Sequence, residues 1–238
     1  MLVGSKVDYD ISNLYIPKDG KGYNDYQKSF YATLTIIVKD KDGKVIKRYK
    51  QKSHSPTANF IGIMLPYSWY FATGNKWTMT TTSNTTFSYY QLLSGYFYGI
   101  GYPNNSWGAP TYLQNIAVGS GTQNNPYSAY NLASPIANGS GTGQLVYGTP
   151  NIPTNITING NQAYFIISQS FSNQSGGTVD ITEVGIILYF TVYTSKTPGQ
   201  GGSSSSGSLL VWYDVLSSPI SVGNGQQVVI YYTFSVNA

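Results

Sequence analysis

The fold is decided by residues 31–52, which read YATLTIIVKDKDGKVIKRYKQK. Residues 31–39 and 44–52 each have the alternating pattern of a half-buried β-strand, and Asp42-Gly43 between them suits the positive φ angles of a tight turn. Alternation divides the first strand into two faces, one with Leu34, Ile36 and Val38 and one with Thr33, Thr35 and Ile37. These residues predict an antiparallel β-hairpin.

Further strands are predicted along most of the remaining chain. Residues 67–100 are rich in Tyr, Trp, Phe and Thr, and strand patterns return at Gln162–Phe171, Val179–Tyr193, Leu209–Val215 and Gln226–Val236. Residues 101–160 and the segment PGQGGSSSSGS at 198–208 have the composition of loops. The sequence therefore predicts an all-β fold, a β-sandwich or jelly roll with long Gly/Asn/Ser-rich loops.

One short helix is predicted near residues 56–65. Ser55-Pro56 is a helix-start signal, because Ser serves as an N-cap and Pro suits the first helical position. This helix would place Phe60, Ile63 and Met64 on one side.

Charge divides the chain into two parts. Residues 1–52 contain eleven Lys or Arg and six Asp, whereas residues 53–238 contain two Lys and three carboxylates. This contrast predicts a charged N-terminal segment, residues 1–52, followed by a low-charge β-sandwich domain, residues 53–238. Because carboxylates are scarce, folding stability is expected to change little in acid, as a protein exposed to strong acid would require. The alternative is an Asn/Ser/Thr-rich β protein of any extracellular or virion origin.

The basic residues of the hairpin are candidate interaction residues: Lys44, Lys47, Arg48, Lys50 and Lys52. They would meet acidic protein, an anionic membrane or nucleic acid, and a hairpin with solvated charges is the alternative. Alternation places Lys47 on one face of the strand and the other four on the opposite face. Tyrosine pairs such as Tyr231-Tyr232 are interpreted as core packing rather than stacking platforms, since almost no basic residue lies near them in sequence.

Residues for catalysis are scarce. The absence of cysteine excludes thiol nucleophiles and disulfides, and the single histidine, His54, has no evident Ser–Asp partners. Asp180 and Glu183 lie three apart in one strand, so alternation predicts opposite faces, and either one with Asp214 is the conceivable glycosidase pair. The GSGT of Gly119–Thr122 lacks the Lys of a phosphate-binding loop and is interpreted as a turn. No catalytic residue, cofactor or metal site is predicted.

Five N-x-S/T sequons permit glycosylation, at Asn84, Asn104, Asn138, Asn155 and Asn173. Roughly four would arise by chance in a chain this rich in Asn, Ser and Thr, so the sequons allow glycosylation without indicating it.

No targeting segment is evident. The first residues, MLVGSKVDYDISNLY, lack the apolar centre of a signal peptide, and no apolar run reaches the roughly 20 residues that span a bilayer. The expectation is a protein made in the cytoplasm of the producing cell, which stays there or leaves within an assembled particle.

Three stretches contain motifs that bear on the class of protein. Residues 115–136, NIAVGSGTQNNPYSAYNLASPI, contain I-x-V-G-x-G-T followed by L-x-x-P-I. The T-E-x-G of ITEVGIILYF (181–190) is followed by D-V-L-x-x-P-I, a glycine turn and an apolar–aromatic strand in LLVWYDVLSSPISVGNGQQVVIYYTFSV (209–236). The third stretch is KDGKVIKRYKQKSHSPTANFI (41–61). Together they resemble virion structural proteins of tailed phages and of viruses that infect hyperthermophilic archaea.

This resemblance implies a non-enzymatic particle subunit of the capsid, vertex, turret, tail or nozzle, located in the virion. The Tyr, Asn, Ser and Thr bias is similar to that of proteins from viruses of hot acidic springs. The implied partners are further copies of the chain, other virion proteins and a host-surface glycan. Three alternatives stay open: an extracellular filament or surface-layer subunit of an archaeon, a carbohydrate-binding adhesin, and a secreted carbohydrate-active enzyme, which the shortage of carboxylates disfavours.

Overall fold

The computed structural model describes residues 30–53, 56–60, 77–89, 112–153, 155–193 and 204–237. Most of these residues lie in eleven β-strands. In chain order the strands are β1 Phe30–Lys39, β2 Val45–Ser53, β3 Trp77–Thr80, β4 Thr86–Tyr89, β5 Tyr112–Gly119, β6 Val146–Tyr147, β7 Thr157–Asn159, β8 Gln162–Ser172, β9 Val179–Tyr193, β10 Ser204–Val222 and β11 Gln227–Asn237. Residues 58–60 are helical, and Pro126–Ser128 forms one turn of 3-10 helix.

The strands form two antiparallel sheets and a separate hairpin. The large sheet has the order β2-β1-β11-β8-β6, with β7 also paired to β8. The small sheet has the order β10-β9-β5, and β3 pairs with β4. This arrangement is the all-β, sandwich-like fold that the sequence predicts.

The core lies between the two sheets and follows the alternation of their strands. β1 buries Ala32, Leu34, Ile36 and Val38, and β11 buries Val228, Ile230, Tyr232 and Phe234 on the same face. From the small sheet, Trp212 of β10 meets Phe234 edge-on, with ring centroids 5.1 Å apart. Burial of these apolar side chains is the main favourable term for holding the sheets together.

The predicted β1–β2 hairpin is confirmed, with a different turn. Gly43 has a φ of 81°, but Asp42 does not take a positive φ. Instead, the Asp40 carboxylate accepts the N–H groups of Asp42 and Lys44, at 3.0 and 2.8 Å. β1 also pairs with β11 along its whole length, and the compositional boundary after residue 52 falls inside β2.

Two segments predicted as loops contain strands. β5 lies within residues 101–160, and β10 begins at Ser204, inside the predicted 198–208 loop, and continues beyond Val215 to Val222. Both segments pair with β9. The Gly, Ser and Asn of segments 101–160 and 198–208 as wholes favour loops, but β5 itself is largely apolar, and pairing with the long apolar strand β9 stabilises both strands.

The predicted helix begins later than residue 56. Pro56 forms a β-bridge with Trp212, and the Thr57 N–H donates to the Val211 carbonyl at 3.1 Å, which keeps both residues extended beside β10. The first helical turn therefore starts after Thr57, whose carbonyl accepts the Phe60 N–H at 3.0 Å. The remainder of the predicted helix, Ile63 and Met64 included, lies outside the described residues.

Candidate functional site

The strongest polar cluster surrounds Glu183, a fully buried carboxylate on β9. Its Oε1 accepts the N–H groups of Ser134 at 2.7 Å and Gly121 at 3.1 Å. Its Oε2 accepts the Ala133 N–H at 2.9 Å and the Tyr213 hydroxyl at 2.7 Å. No Lys or Arg occurs between Lys76 and Lys196 in the sequence, so hydrogen-bond donors of the loop and of β10 solvate this carboxylate.

Glycine is required where the loop approaches Glu183. A Cβ at Gly121 would lie 2.7 Å from the Ala133 Cβ and 2.8 Å from the Ser134 nitrogen. A Cβ at Gly119 would overlap the Glu183 Oε1 atom and lie 2.7 Å from the Ser134 carbonyl oxygen. The two glycines therefore let the loop backbone come close enough to hydrogen-bond the carboxylate.

These contacts join the motifs of residues 115–136 to the T-E-x-G motif of residues 181–190. The G-x-G of β5 and its loop, the A-S of L-x-x-P-I and the Glu of T-E-x-G meet at one point on the small sheet. The Thr182 hydroxyl adds a 2.7 Å bond to the Gly121 carbonyl. The GSGT segment does bind an anionic oxygen, as a phosphate-binding loop would, but that oxygen belongs to Glu183 of the same chain. Glu183 therefore fastens residues 120–136 over the small sheet.

The second buried carboxylate, Asp214 of β10, links the two sheets. Its Oδ2 accepts the Ser53 hydroxyl at 2.5 Å and the Tyr232 hydroxyl at 2.9 Å, and the Trp212 indole N–H donates to Ser53. Ser53 and Tyr232 belong to the large sheet, and Asp214 and Trp212 belong to the small one. Burial and the neighbouring Asp214 carboxylate raise the pKa of Tyr232 well above its ordinary value.

Glu183 and Asp214 lie on opposite faces of the small sheet. Asp214 stands opposite Val184 in the ladder and points into the core with it, whereas Glu183 points to the loop with Tyr213. The prediction that Asp180 and Glu183 point to opposite faces is wrong. Ile181 and Val184 of β9 both face the core, so the alternation of β9 changes phase between them, where its pairing with β10 is irregular, and both carboxylates point away from the core. A glycosidase needs two carboxylates across an open cleft, and Glu183 and Asp214 lack that geometry.

Other candidate catalytic and metal-ligating residues are few. His54 lies outside the described residues. Within the described ranges, His, Cys, Asp and Glu side chains form no group of three or more that could hold a metal ion. Asp180 is exposed on β9.

The five predicted interaction residues are all exposed: Lys44, Lys47, Arg48, Lys50 and Lys52. The register places Arg48, Lys50 and Lys52 opposite Ile37, Thr35 and Thr33, on the face of the large sheet that points away from the core. Lys47 stands opposite Val38 and points to the other face, as alternation predicts. Lys44 belongs to the turn that precedes β2.

The sequons differ in accessibility. Asn84, Asn138 and Asn155 are exposed, and Asn104 lies outside the described residues. Asn173 is fully buried, and its Nδ2 donates to the carbonyls of Val222 at 2.6 Å and Gly177 at 2.8 Å. Glycosylation of Asn173, which its sequon allows, is therefore incompatible with the folded chain.

Replacing Asn173 with alanine is expected to lower the free energy of unfolding by about 2–4 kcal/mol. The change removes the two Nδ2 bonds and two more that Oδ1 accepts from Ser175, at 2.9 and 2.8 Å. Asn155→Ala, at an exposed sequon, is the matched control and should change stability by less than about 0.5 kcal/mol. Urea unfolding followed by circular dichroism measures both, and equal midpoints would contradict a structural role for Asn173.

Two polar links were not predicted from the sequence: one joins the two sheets, and the other joins β6 to the loop that ends at Ile136. Gln169 of β8 accepts the Ile116 N–H at 2.7 Å and donates to the Gly148 carbonyl at 2.8 Å. The Tyr147 hydroxyl donates to the Ile136 carbonyl at 2.8 Å. A Gln within an otherwise apolar strand face was the available signal for the first link, and nothing local marks the second.

No helix within the described residues is long and apolar enough to cross a membrane. The geometry thus assigns both buried carboxylates to structural work and presents one row of exposed cations.

Comparison with protein-family models, curated proteins and solved structures finds no match to this chain.

Proposed function

We propose that the chain is a non-enzymatic structural subunit of a virus particle, in the capsid, vertex, turret or tail. The observation that carries this proposal is the Glu183 cluster. The motif residues of segments 115–136 and 181–190 contact one another in this buried cluster, where their hydrogen bonds attach a loop to the small sheet. Motif residues that serve architecture support a subunit role.

The charge distribution supports a division of labour within the particle. The cations of β2 contact neighbouring subunits or the particle interior, because their electrostatic attraction to an oppositely charged partner is stronger where water is excluded. The segments 120–145 and 194–208, whose one charged side chain is Lys196, are placed on the outside of the particle, where hydroxyl and amide groups keep the surface hydrated without titrating. In this arrangement the subunit forms a symmetric oligomer with further copies of itself.

Mass spectrometry of purified particles tests this proposal. We expect the chain at a fixed ratio to the other particle proteins, and absent from matched host envelope fractions. Enrichment in the envelope fraction, or in isolated filaments, would overturn the proposal in favour of a surface-layer or filament subunit.

A proteolysis experiment on the same particles tests the orientation. Cleavage in residues 194–208 should precede cleavage in residues 1–52. The reverse order would show that the charged segment faces outward.

A further inference from the structure

The outward face of the large sheet brings together residues that are far apart in sequence. β1 lies between β2 and β11, and the register aligns Lys50 with Thr35 and Thr35 with Tyr231. Side chains directly opposite in a ladder point to the same face. Lys50, Thr35 and Tyr231 therefore form one row across three strands on the face opposite the core.

The cations of this face are regularly spaced. Arg48, Lys50 and Lys52 alternate along β2, so about 6.8 Å separates each from the next along the strand. All three are exposed, and no Asp or Glu occurs in any strand of the large sheet. The described carboxylates lie in the hairpin turn or in the small sheet. The face thus has a linear row of positive charge on β2, with Lys39 of β1 on the same face and no acidic side chain in its strands.

An aromatic ring lies beside this row. Tyr231 is partly exposed, while its neighbour Tyr232 is fully buried in the core. The Cα atoms of Lys50 and Tyr231 lie two strand spacings apart, about 10 Å. Stacking of a base on an aromatic side chain beside a basic track is how proteins bind single-stranded nucleic acid without sequence preference. The sequence separates Tyr231 from the basic residues, but the sheet places it next to them.

We infer that this face binds single-stranded nucleic acid, with Arg48, Lys50 and Lys52 contacting phosphates and Tyr231 stacking on a base. A second copy of the chain would bring the same positive row to the contact, and in the part of the chain that the structure describes only Asp42 and Asp180 are exposed carboxylates. A duplex would hide the base faces from Tyr231. This inference goes beyond the proposed function and does not depend on it.

Fluorescence anisotropy with the full chain and a labelled oligothymidine of about 20 nucleotides tests the inference. Binding is expected in the micromolar range at about 50 mM salt, weakening as salt increases. Neutralising Arg48, Lys50 and Lys52 together with glutamine should reduce the salt slope by about two, since each phosphate contact on a single strand contributes about 0.7. Tyr231→Leu should weaken binding at least about fivefold and leave the salt slope unchanged.

Lys47→Gln is the matched control, because it removes the same charge from the same strand on the opposite face. Its affinity should stay within about twofold of the wild type, whereas Lys50→Gln alone should lose more. Tyr231→Trp, with a larger ring, should bind at least as tightly as the wild type and shows that a loss in Tyr231→Leu is not a folding defect. Thermal unfolding of each variant verifies its fold.

Three results would overturn the inference. One is wild-type binding by the triple variant, and another is an equal loss in Lys47→Gln and Lys50→Gln. The third is an unchanged affinity of the Tyr231→Leu variant for oligothymidine, duplex DNA and anionic vesicles. That result would mean that the face binds anions through its positive charge alone.

Discussion

Replacing Glu183 with glutamine is expected to lower the free energy of unfolding by about 2–4 kcal/mol. The amide keeps the size of the carboxylate but turns one acceptor oxygen into a donor. If Nε2 replaces Oε1, the N–H groups of Gly121 and Ser134 both lose their acceptor. If it replaces Oε2, the Ala133 N–H points at another donor. Each orientation leaves a buried N–H unpaired, and the charge that strengthened the other bonds is lost.

The effect should be concentrated in one loop. Residues 120–136 depend on Glu183 for their attachment to the small sheet, so they should become sensitive to protease before the chain unfolds globally. Asp180→Asn removes the same charge from an exposed position of the same strand and should change stability by less than about 0.5 kcal/mol. Urea unfolding and timed proteolysis of the two variants give the comparison. Equal midpoints and equal cleavage rates would mean that Glu183 does not fasten the loop.

The fold could be predicted from the sequence where its signals are local. The alternation of β1 and the glycine at position 43 specify a hairpin within one short segment, and the structure has that hairpin. The two faces of β1 and β2 follow from the period of two. β5 and the early part of β10 could not be predicted in this way. β5 is a short apolar stretch inside a long Gly/Pro/Asn-rich segment, and its partner, β9, is distant in sequence. The start of β10 has the Ser/Gly composition of a loop, and its pairing with β9 makes it a strand.

The buried cluster around Glu183 could not be predicted from local sequence, because its hydrogen bonds join residues that are far apart in the chain. The loop donors to Glu183 lie 49 to 62 residues away in sequence, and no periodicity specifies such distances. A partial signal was present: one Glu in an apolar strand, in a stretch without Lys or Arg, must find donors elsewhere if it is buried. The two glycines of GSGT were a second signal, because glycine lets a loop backbone come close to a buried group. The turn that GSGT predicts locally does not include the contact with Glu183 that requires the two glycines.

The outward face of the large sheet shows the same limit. Near Tyr231 the sequence has almost no basic residues, which argued against nucleic-acid binding there. β1 lies between β2 and β11 in the sheet, so residues about 180 positions apart in sequence share one surface. The composition of a segment therefore reports only residues that are close in sequence. A binding surface on a sheet combines residues from adjacent strands, which are often far apart in sequence.

Alkaline pH is expected to unfold the protein, beginning above about pH 10. Burial raises the pKa of Tyr147, Tyr213 and Tyr232 above the ordinary value of 10.0, and nearby Glu183 and Asp214 raise the latter two further. In the unfolded chain these tyrosines lose their protons near pH 10, while the folded chain retains them. The unfolded state then binds fewer protons, so stability is complete below pH 10 and falls as the pH rises through the folded pKa values.

The expected slope is about 1.4 kcal/mol per pH unit for each tyrosine that keeps its proton in the fold, so about 4 kcal/mol per unit for three. Urea unfolding at successive pH values measures the slope, and tyrosinate absorbance counts the ionised rings. At least three fewer tyrosines should ionise near pH 10 in the native protein than in denaturant. Tyr147→Phe should reduce the slope, whereas Tyr127→Phe, at a ring 59% exposed, should leave it unchanged. Ionisation of all tyrosines together near pH 10, with the fold intact, would contradict this prediction. In the folded chain a tyrosinate at Tyr213 or Tyr232 would lie against the carboxylate that now accepts its hydroxyl.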